Sequence, residues 1–187
     1  MRAAQMIWRR DERQRLIADR LRTPVSDRQI ASERIATHLD ALLVDLEGRV
    51  VSGYWPQRGE PDLRPWLASL VGRGIRCALP VVIAKYAPLG FRRWQPGSRM
   101  ESGFWDIPVP ADGESVTPDV LLAPVVGFTL QHFRLGYGGG YFDRTLASLP
   151  RPWRAIGVGY ASARTTGFEP LPHDIPLDAI VTEAGVA

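Results

Sequence analysis

The chain has a single cysteine, Cys77, so it can form no internal disulfide and no zinc site built on cysteines. Set in Arg76-Cys-Ala-Leu-Pro80, that cysteine reads as an inert core residue. Long apolar runs are missing too. None approaches the roughly 18 residues that a membrane-spanning helix needs, and residues 1–22 are rich in arginine without the uninterrupted apolar stretch of a signal peptide. A cytoplasmic protein is expected. Neither sign of charge dominates: 23 Lys and Arg against 20 Asp and Glu leave a formal net charge of +3, which suits an anionic small molecule as well as weak attraction for nucleic acid. There is no Gly-Lys-Ser/Thr phosphate loop and no dinucleotide fingerprint with its later ribose-binding acid. A Ser-His-Asp or Cys-His constellation is also lacking.

What is there fits one compact α/β domain spanning residues 1–187, with 45% hydrophobic and 23% charged residues to build a core and a surface. Helices are expected within residues 6–45. The first, over 6–22, is basic and amphipathic, with Arg9, Arg13 and Arg20 near one face and Ile17 and Leu21 able to turn inward. The second follows Ser26 as N-cap, its apolar positions Ile30, Ala31, Ile35, Leu39, Leu42 and Leu43 recurring at helical spacing. The run 49–55 reads as a strand, and Leu63, Trp66, Leu67, Leu70 and Val71 mark a helix from about Pro61 to Gly72 or Gly74. Residues 77–83, 120–126, 155–160 and 179–182 are further apolar strands with little polar alternation, the pattern of a mainly parallel sheet covered on both faces. Residues 84–117, rich in proline, glycine and aromatics, read as an irregular segment with one hairpin, forming a wall of a cleft at the sheet edge.

The most informative stretch is Arg134-Leu-Gly-Tyr-Gly-Gly-Gly-Tyr-Phe-Asp143, where four glycines within five residues run into a helical pattern. Glycines let backbone N–H groups converge on an anion, and a helix N-terminus adds about half a positive charge there. Nucleotide phosphate, with ATP and magnesium as the expected ligand, suits that arrangement: Arg134 can add a charge-assisted clamp and Asp143 can hold the metal. The same residues also read as a plain turn between a buried strand and a helix, with Asp143 merely favouring the helix dipole.

With these residues in view, the chain resembles the 5-formyltetrahydrofolate cyclo-ligase (5,10-methenyltetrahydrofolate synthetase) family. The resemblance runs through Tyr54-Trp-Pro with Glu60 and Asp62, Ala78-Leu-Pro80, Phe128 with the glycine loop through Arg144, His173-Asp174, and Asp178-Ala-Ile-Val-Thr-Glu183. It implies a three-layer α/β fold of the NagB/RpiA/CoA transferase-like kind and an ATP- and magnesium-dependent closure of 5-formyltetrahydrofolate to 5,10-methenyltetrahydrofolate. A monomer with no nucleic-acid or membrane partner goes with it. Carried over, Arg9, Arg13, Arg134, Leu135, Gly136, Tyr137, Gly138, Gly139, Gly140, Tyr141 and Phe142 would hold ATP. Trp55, Glu60 and residues 137–141 would hold the folate, and Asp143 and Asp174 the magnesium, with Arg134, Tyr141 and Asp143 central to catalysis.

The chain departs from the family pattern at Val109, Thr129, His132 and Ala163, where glutamate, aspartate, glycine and glutamine are expected. Unpaired substrate groups at Val109 and Ala163 would weaken binding. The departures leave open a divergent member acting on another formyl-amine or heterocycle, one connected with thiamine metabolism included. The basic first helix leaves open a non-catalytic nucleotide- or nucleic-acid-binding module, whose affinity would fall steeply with salt.

Overall fold

The computed structural model describes residues 2–150 and 153–187. Two helices open the chain, α1 (Arg2–Arg22) and α2 (Val25–Leu42), followed by β1 (Val50–Ser52), α3 (Arg64–Gly72), β2 (Arg76–Val82) and β3 (Leu89–Trp94). The hairpin strands β4 (Met100–Ser102) and β5 (Pro108–Pro110) come next, then β6 (Val120–Pro124), β7 (Gly127–Phe128), β8 (Arg134–Leu135) and α4 (Tyr141–Ser148). The chain closes with β9 (Arg154–Val158), β10 (Ala179–Thr182) and β11 (Gly185–Val186).

The main sheet has the order β11-β10-β9-β6-β1-β2-β3. Its five central strands run parallel, and β3 and β11 close the two edges antiparallel. Neighbouring residues on each strand point to opposite faces, and both faces are apolar, which is why these strands read as unbroken hydrophobic runs. Val51, Cys77, Leu79, Leu122, Ile156 and Val181 meet Ile35, Leu39, Trp66, Leu67 and Leu70 of α2 and α3. Val50, Ala78, Leu121, Ala123, Ala155 and Ile180 meet Leu16 of α1, Leu146 of α4, and Leu135 and Phe168. A Cβ on Gly157 would fall 2.5 Å from Cδ1 of Ile180 on the neighbouring strand and 2.8 Å from Leu177 Cδ1, so these side chains fill the space over the glycine. Cys77 is buried, and burial pushes its thiol up to about 12, in keeping with an inert core residue. Among the described residues no helix is long and apolar enough to cross a membrane.

Several local expectations need correction. Along α1 Leu16 enters the core and Ile17 packs against it as expected, while Leu21 is 52% exposed. Arg9, Arg13 and Arg20 lie on the same stripe as Leu16, at spacings of four, seven and eleven residues, and Arg9 and Arg20 are buried. The basic face therefore points into the protein. The second helix starts at Val25 with Pro24 at its cap and no side-chain cap, because the Ser26 hydroxyl donates to Asp27 instead. The third starts at Arg64 rather than near Pro61, since the Asp62 carboxylate accepts the Arg64 N–H in a turn ahead of it. Within 84–117 the hairpin is present, but residues 89–94 form a full edge strand paired with β2 from Cys77↔Trp94 to Val82↔Leu89.

Candidate active site

The glycine loop leaves β8, which pairs with β7, and enters α4 through Gly140. Gly138 and Gly140 have φ of 96° and 65°, left-handed values that favour glycine. Space is short as well: a Cβ on Gly139 would lie 2.8 Å from the Tyr141 ring, and one on Gly140 3.0 Å from Arg144 Nη1. No side chain caps α4, so the N–H groups of its first turn and the positive end of its dipole remain for an anion.

Arginines frame this loop. Arg13 Nε donates to the Gly136 carbonyl at 2.7 Å, and Arg144 Nη2 donates to the Gly139 carbonyl. Burial and the adjacent Arg9 charge push the Arg13 guanidinium down, and it has no carboxylate partner among the described residues. Arg9 binds Asp174 through two contacts of 2.5 and 3.2 Å and the Glu169 carbonyl at 2.8 Å. Arg9, Arg13 and Arg20 are thus engaged by the protein itself, whereas Arg10, Arg15 and Arg22 of α1 are exposed.

Arg134 is buried and donates Nη2 to Asp143 Oδ2 at 2.8 Å, so it holds that carboxylate beneath the loop. Burial pushes the Arg134 guanidinium down, opposed by the charge of Asp143. Asp143 Oδ1 accepts the Ile175 N–H at 3.1 Å, which ties Asp143 to the segment that carries Asp174. Asp174 Oδ2 also accepts the Leu171 N–H at 2.6 Å. Burial pushes the Asp174 carboxyl up, but the Arg9 and Leu171 hydrogen bonds and the Arg9 charge outweigh it and hold it below the usual carboxylate range.

Among the described residues there is no cluster of three His, Cys, Asp or Glu. A complete protein cage for a metal is therefore absent. Asp143 and Asp174 each keep a lone pair beyond their hydrogen bonds, a donor set that fits magnesium, which binds one or two carboxylates and completes its shell with phosphate and water.

On the other side of the loop, Glu60 is only 6% exposed. A solvated acid is ruled out at this position. Its Oε2 accepts the Gln57 N–H at 2.8 Å and its Oε1 accepts the Tyr137 hydroxyl at 2.8 Å. The same hydroxyl accepts from Arg20 Nη2 at 2.7 Å, and Arg20 Nε donates to the Arg58 carbonyl at 2.9 Å. Burial holds the Glu60 carboxyl above the usual range despite the Gln57 N–H and the Arg20 charge. Tyr137 thus joins the glycine loop to Glu60. Trp55 packs toward the α2 and α3 core, with the Arg64 guanidinium 4.7 Å over its ring. Leu135 and Phe142 pack into the other core, so the side chains of both serve the fold.

Sequence reasoning missed three residues here. Periodicity groups Arg20 only on the basic face of α1, and Arg144 stands only at the end of the resembling loop stretch. Trp105 lies in the irregular segment, 64% exposed, with its ring 5.6 Å edge-on from Tyr141. Trp105 and Asp106 both have positive φ, 56° and 57°, at about 1–3 kcal/mol of strain each. Of the irregular segment expected to wall a cleft, this ring is the part that meets the glycine loop, and the segment's aromatic richness was the available signal.

The four departures occupy packing and turn positions. Val109 is buried against Gly103, and Ala163 is buried with its carbonyl 3.3 Å from where a Cβ on Gly127 would lie. Thr129 Oγ1 accepts the N–H groups of Gln131 and Phe133, closing the turn before β8. His132 takes a left-handed φ of 63°, and its backbone pairs with Leu177. A surface hollow of about 450 Å³ beside β3 and the β4–β5 hairpin, lined by Arg93, Arg99 and Glu114 among others, shares no residue with the loop.

A sequence model of the 5-formyltetrahydrofolate cyclo-ligase family matches residues 5–183. The chain belongs to this family. It is 28% identical over 179 residues to the 5-formyltetrahydrofolate cyclo-ligase of Mycolicibacterium smegmatis, covering 89% of each chain. To the Escherichia coli K12 5-formyltetrahydrofolate cyclo-ligase it is 37% identical over 137 residues, 68% of this chain and 74% of that one. The solved structure of Aquifex aeolicus 5,10-methenyltetrahydrofolate synthetase superposes with a TM-score of 0.82 at 28% identity, over 95% of this chain and 91% of the other. The Mycoplasma pneumoniae 5,10-methenyltetrahydrofolate synthetase, at 23% identity and TM-score 0.77 over 94% of this chain and 98% of that one, supports the fold. Membership makes the chain an enzyme, a ligase of folate one-carbon metabolism.

Proposed function

We infer that this enzyme closes 5-formyltetrahydrofolate to 5,10-methenyltetrahydrofolate, converting ATP to ADP and phosphate. The chemical obstacle is that a formamide carbon is a poor electrophile and its oxygen a poor leaving group. Phosphorylation of that oxygen removes both problems. The formyl oxygen attacks the γ-phosphorus and ADP departs; N10 then attacks the activated carbon and gives up its proton to solvent, and the C–O bond breaks to release phosphate as the carbon–nitrogen double bond forms. No protein nucleophile is required, so positioning and charge neutralisation carry the catalysis.

The observation that carries this reading is the loop itself: left-handed glycines opening an uncapped helix, joined through Tyr137 to a buried glutamate. In this scheme the N–H groups of residues 136–142 and Arg13 bind the ATP phosphates. Asp143 and Asp174 hold magnesium, which when bound neutralises phosphate charge. Arg134 keeps Asp143 in place from below, and Arg9 does the same for Asp174. Glu60, with Trp55 as an additional candidate, takes the pterin edge, where a carboxylate accepts two N–H bonds at once. The departures at Val109, Thr129, His132 and Ala163 have packing and turn roles, so they lend no weight to a different substrate.

The test is direct. Purified protein with magnesium, ATP and 5-formyltetrahydrofolate is expected to develop the methenyl absorbance near the ultraviolet-visible boundary. Absence of that absorbance, under conditions where a known cyclo-ligase produces it, rejects the reading.

A further inference from the structure

We propose that Arg144 is a positioning residue of the phosphate loop: it holds the Gly139 carbonyl and so directs the Gly140 N–H at the bound phosphate. The proposal rests on the reading of residues 136–140 as the nucleotide-phosphate site. Arg144 stands in the first turn of α4, where an arginine is ordinarily a solvated surface charge. Here its side chain turns back over the preceding loop. Its Nη2 donates to the Gly139 carbonyl, and its Nη1 lies 3.0 Å from the point a Cβ on Gly140 would occupy. The guanidinium is flanked by the rings of Tyr141 at 5.2 Å and Tyr86 at 5.9 Å. Its Nε is buried with no hydrogen-bond partner among the described residues. A donor left unsatisfied in a protein interior calls for an explanation, and a functional placement of the guanidinium supplies one.

The physical link is the planarity of the trans peptide, in which C=O and N–H point in opposite directions. Fixing the Gly139 carbonyl on Arg144 directs the Gly140 N–H away from that arginine. Arg13 does the same from α1, holding the Gly136 carbonyl and directing the Tyr137 N–H. Glycine tolerates backbone conformations of both hands, so without these anchors the peptides can flip and turn a carbonyl oxygen toward the phosphate. The two arginines, on α1 and α4, thereby convert a permissive glycine run into a preset row of donors.

The experiment compares the wild-type enzyme with Arg144→Met, which keeps the aliphatic stem and removes the donors, and Arg144→Lys, which restores one. Each is titrated calorimetrically with a non-hydrolysable Mg-ATP analogue and, separately, with 5-formyltetrahydrofolate. Arg144→Met is expected to weaken the analogue about tenfold, the scale of one charge-assisted hydrogen bond. Its 5-formyltetrahydrofolate affinity stays within about twofold of wild type, and Arg144→Lys recovers part of the loss. A merely structural role moves both ligands together. Equal weakening of both, or analogue binding unchanged in Arg144→Met, overturns the proposal. If Arg144→Met does not fold, the same split between ligands is read on Arg144→Lys, where unchanged analogue affinity is the overturning result. A wild type that binds no analogue removes the phosphate-loop reading and this proposal with it, whereas a binding wild type beside an unaffected variant removes only the role of Arg144.

Discussion

On one side of the glycine loop, Asp174 and Asp143 are each matched to an arginine; on the other, Glu60 is buried against a tyrosine hydroxyl and a backbone N–H. All three carboxylates leave water to some degree, but the outcomes diverge. Arg9 overcomes burial at Asp174 and holds its carboxyl low, whereas at Glu60 burial wins and holds it high. The contrast separates two kinds of binding surface. The proposed phosphate side is assembled from the charge pairs Arg9–Asp174 and Arg134–Asp143, which suits a cation and polyphosphate. The Glu60 side is a desolvated carboxylate, where hydrogen bonds from a ligand are strengthened because water is excluded.

Breaking the charge-paired side has the largest expected effect. Asp143→Ala leaves Arg134, with only 5% of its side chain exposed, as an unpaired buried charge. Loss of one partner of a buried pair costs about 3–5 kcal/mol. The urea midpoint of Asp143→Ala is expected to fall accordingly, with turnover lost in the fraction that remains folded; a midpoint close to wild type contradicts the pairing.

The pH dependence sharpens the same comparison at intermediate scale. The folded-state pKa of Glu60 is raised above its ordinary 4.5, so its contribution to stability is fully present below that value and is lost as pH rises through the raised one. Asp174 has the opposite sign: its folded-state pKa lies below its ordinary 3.8, so its contribution is present above that value and is lost as pH falls through the depressed one. Urea midpoints measured across acid pH are therefore expected to lose the decline above pH 4.5 in Glu60→Gln and the acid-side loss in Asp174→Asn. Parallel profiles for either variant and wild type contradict the assignment for that residue. The smallest effect belongs to the exposed pairs of Arg15 with Glu12 and Asp19 on α1. Arg15→Ala is expected to change stability by less than about 1 kcal/mol, and a larger loss means that the pairs act as a network.

The parallel strands were legible because both faces of the sheet are buried, leaving apolar runs such as Val120-Leu-Leu-Ala123 with nothing polar to interrupt them. The edge strand β3 was not, since only Phe91 and Trp94 are buried along it while Arg92 and Arg93 break the pattern. The glycine loop into α4 was legible from its composition, because four glycines within five residues mark a tight backbone turn ahead of the helical pattern. The arginine frame was hidden for a different reason. Periodicity groups Arg9, Arg13 and Arg20 on one face but cannot say whether that face meets water or Asp174, which lies 165 residues from Arg9. The Glu60–Tyr137 hydrogen bond spans 77 residues and is equally invisible to local pattern. Trp105 becomes a site candidate only once its left-handed backbone and its approach to Tyr141 are known.

The central claim is that one loop separates a charge-paired phosphate side from a buried-carboxylate folate side. Titrating wild type and Glu60→Gln with the Mg-ATP analogue and with 5-formyltetrahydrofolate tests it most directly. Glu60→Gln is expected to lose about tenfold or more in affinity for 5-formyltetrahydrofolate, the scale of a hydrogen bond to a charged group, with the analogue bound as in wild type. Unchanged 5-formyltetrahydrofolate affinity, or equal loss of both ligands, contradicts it.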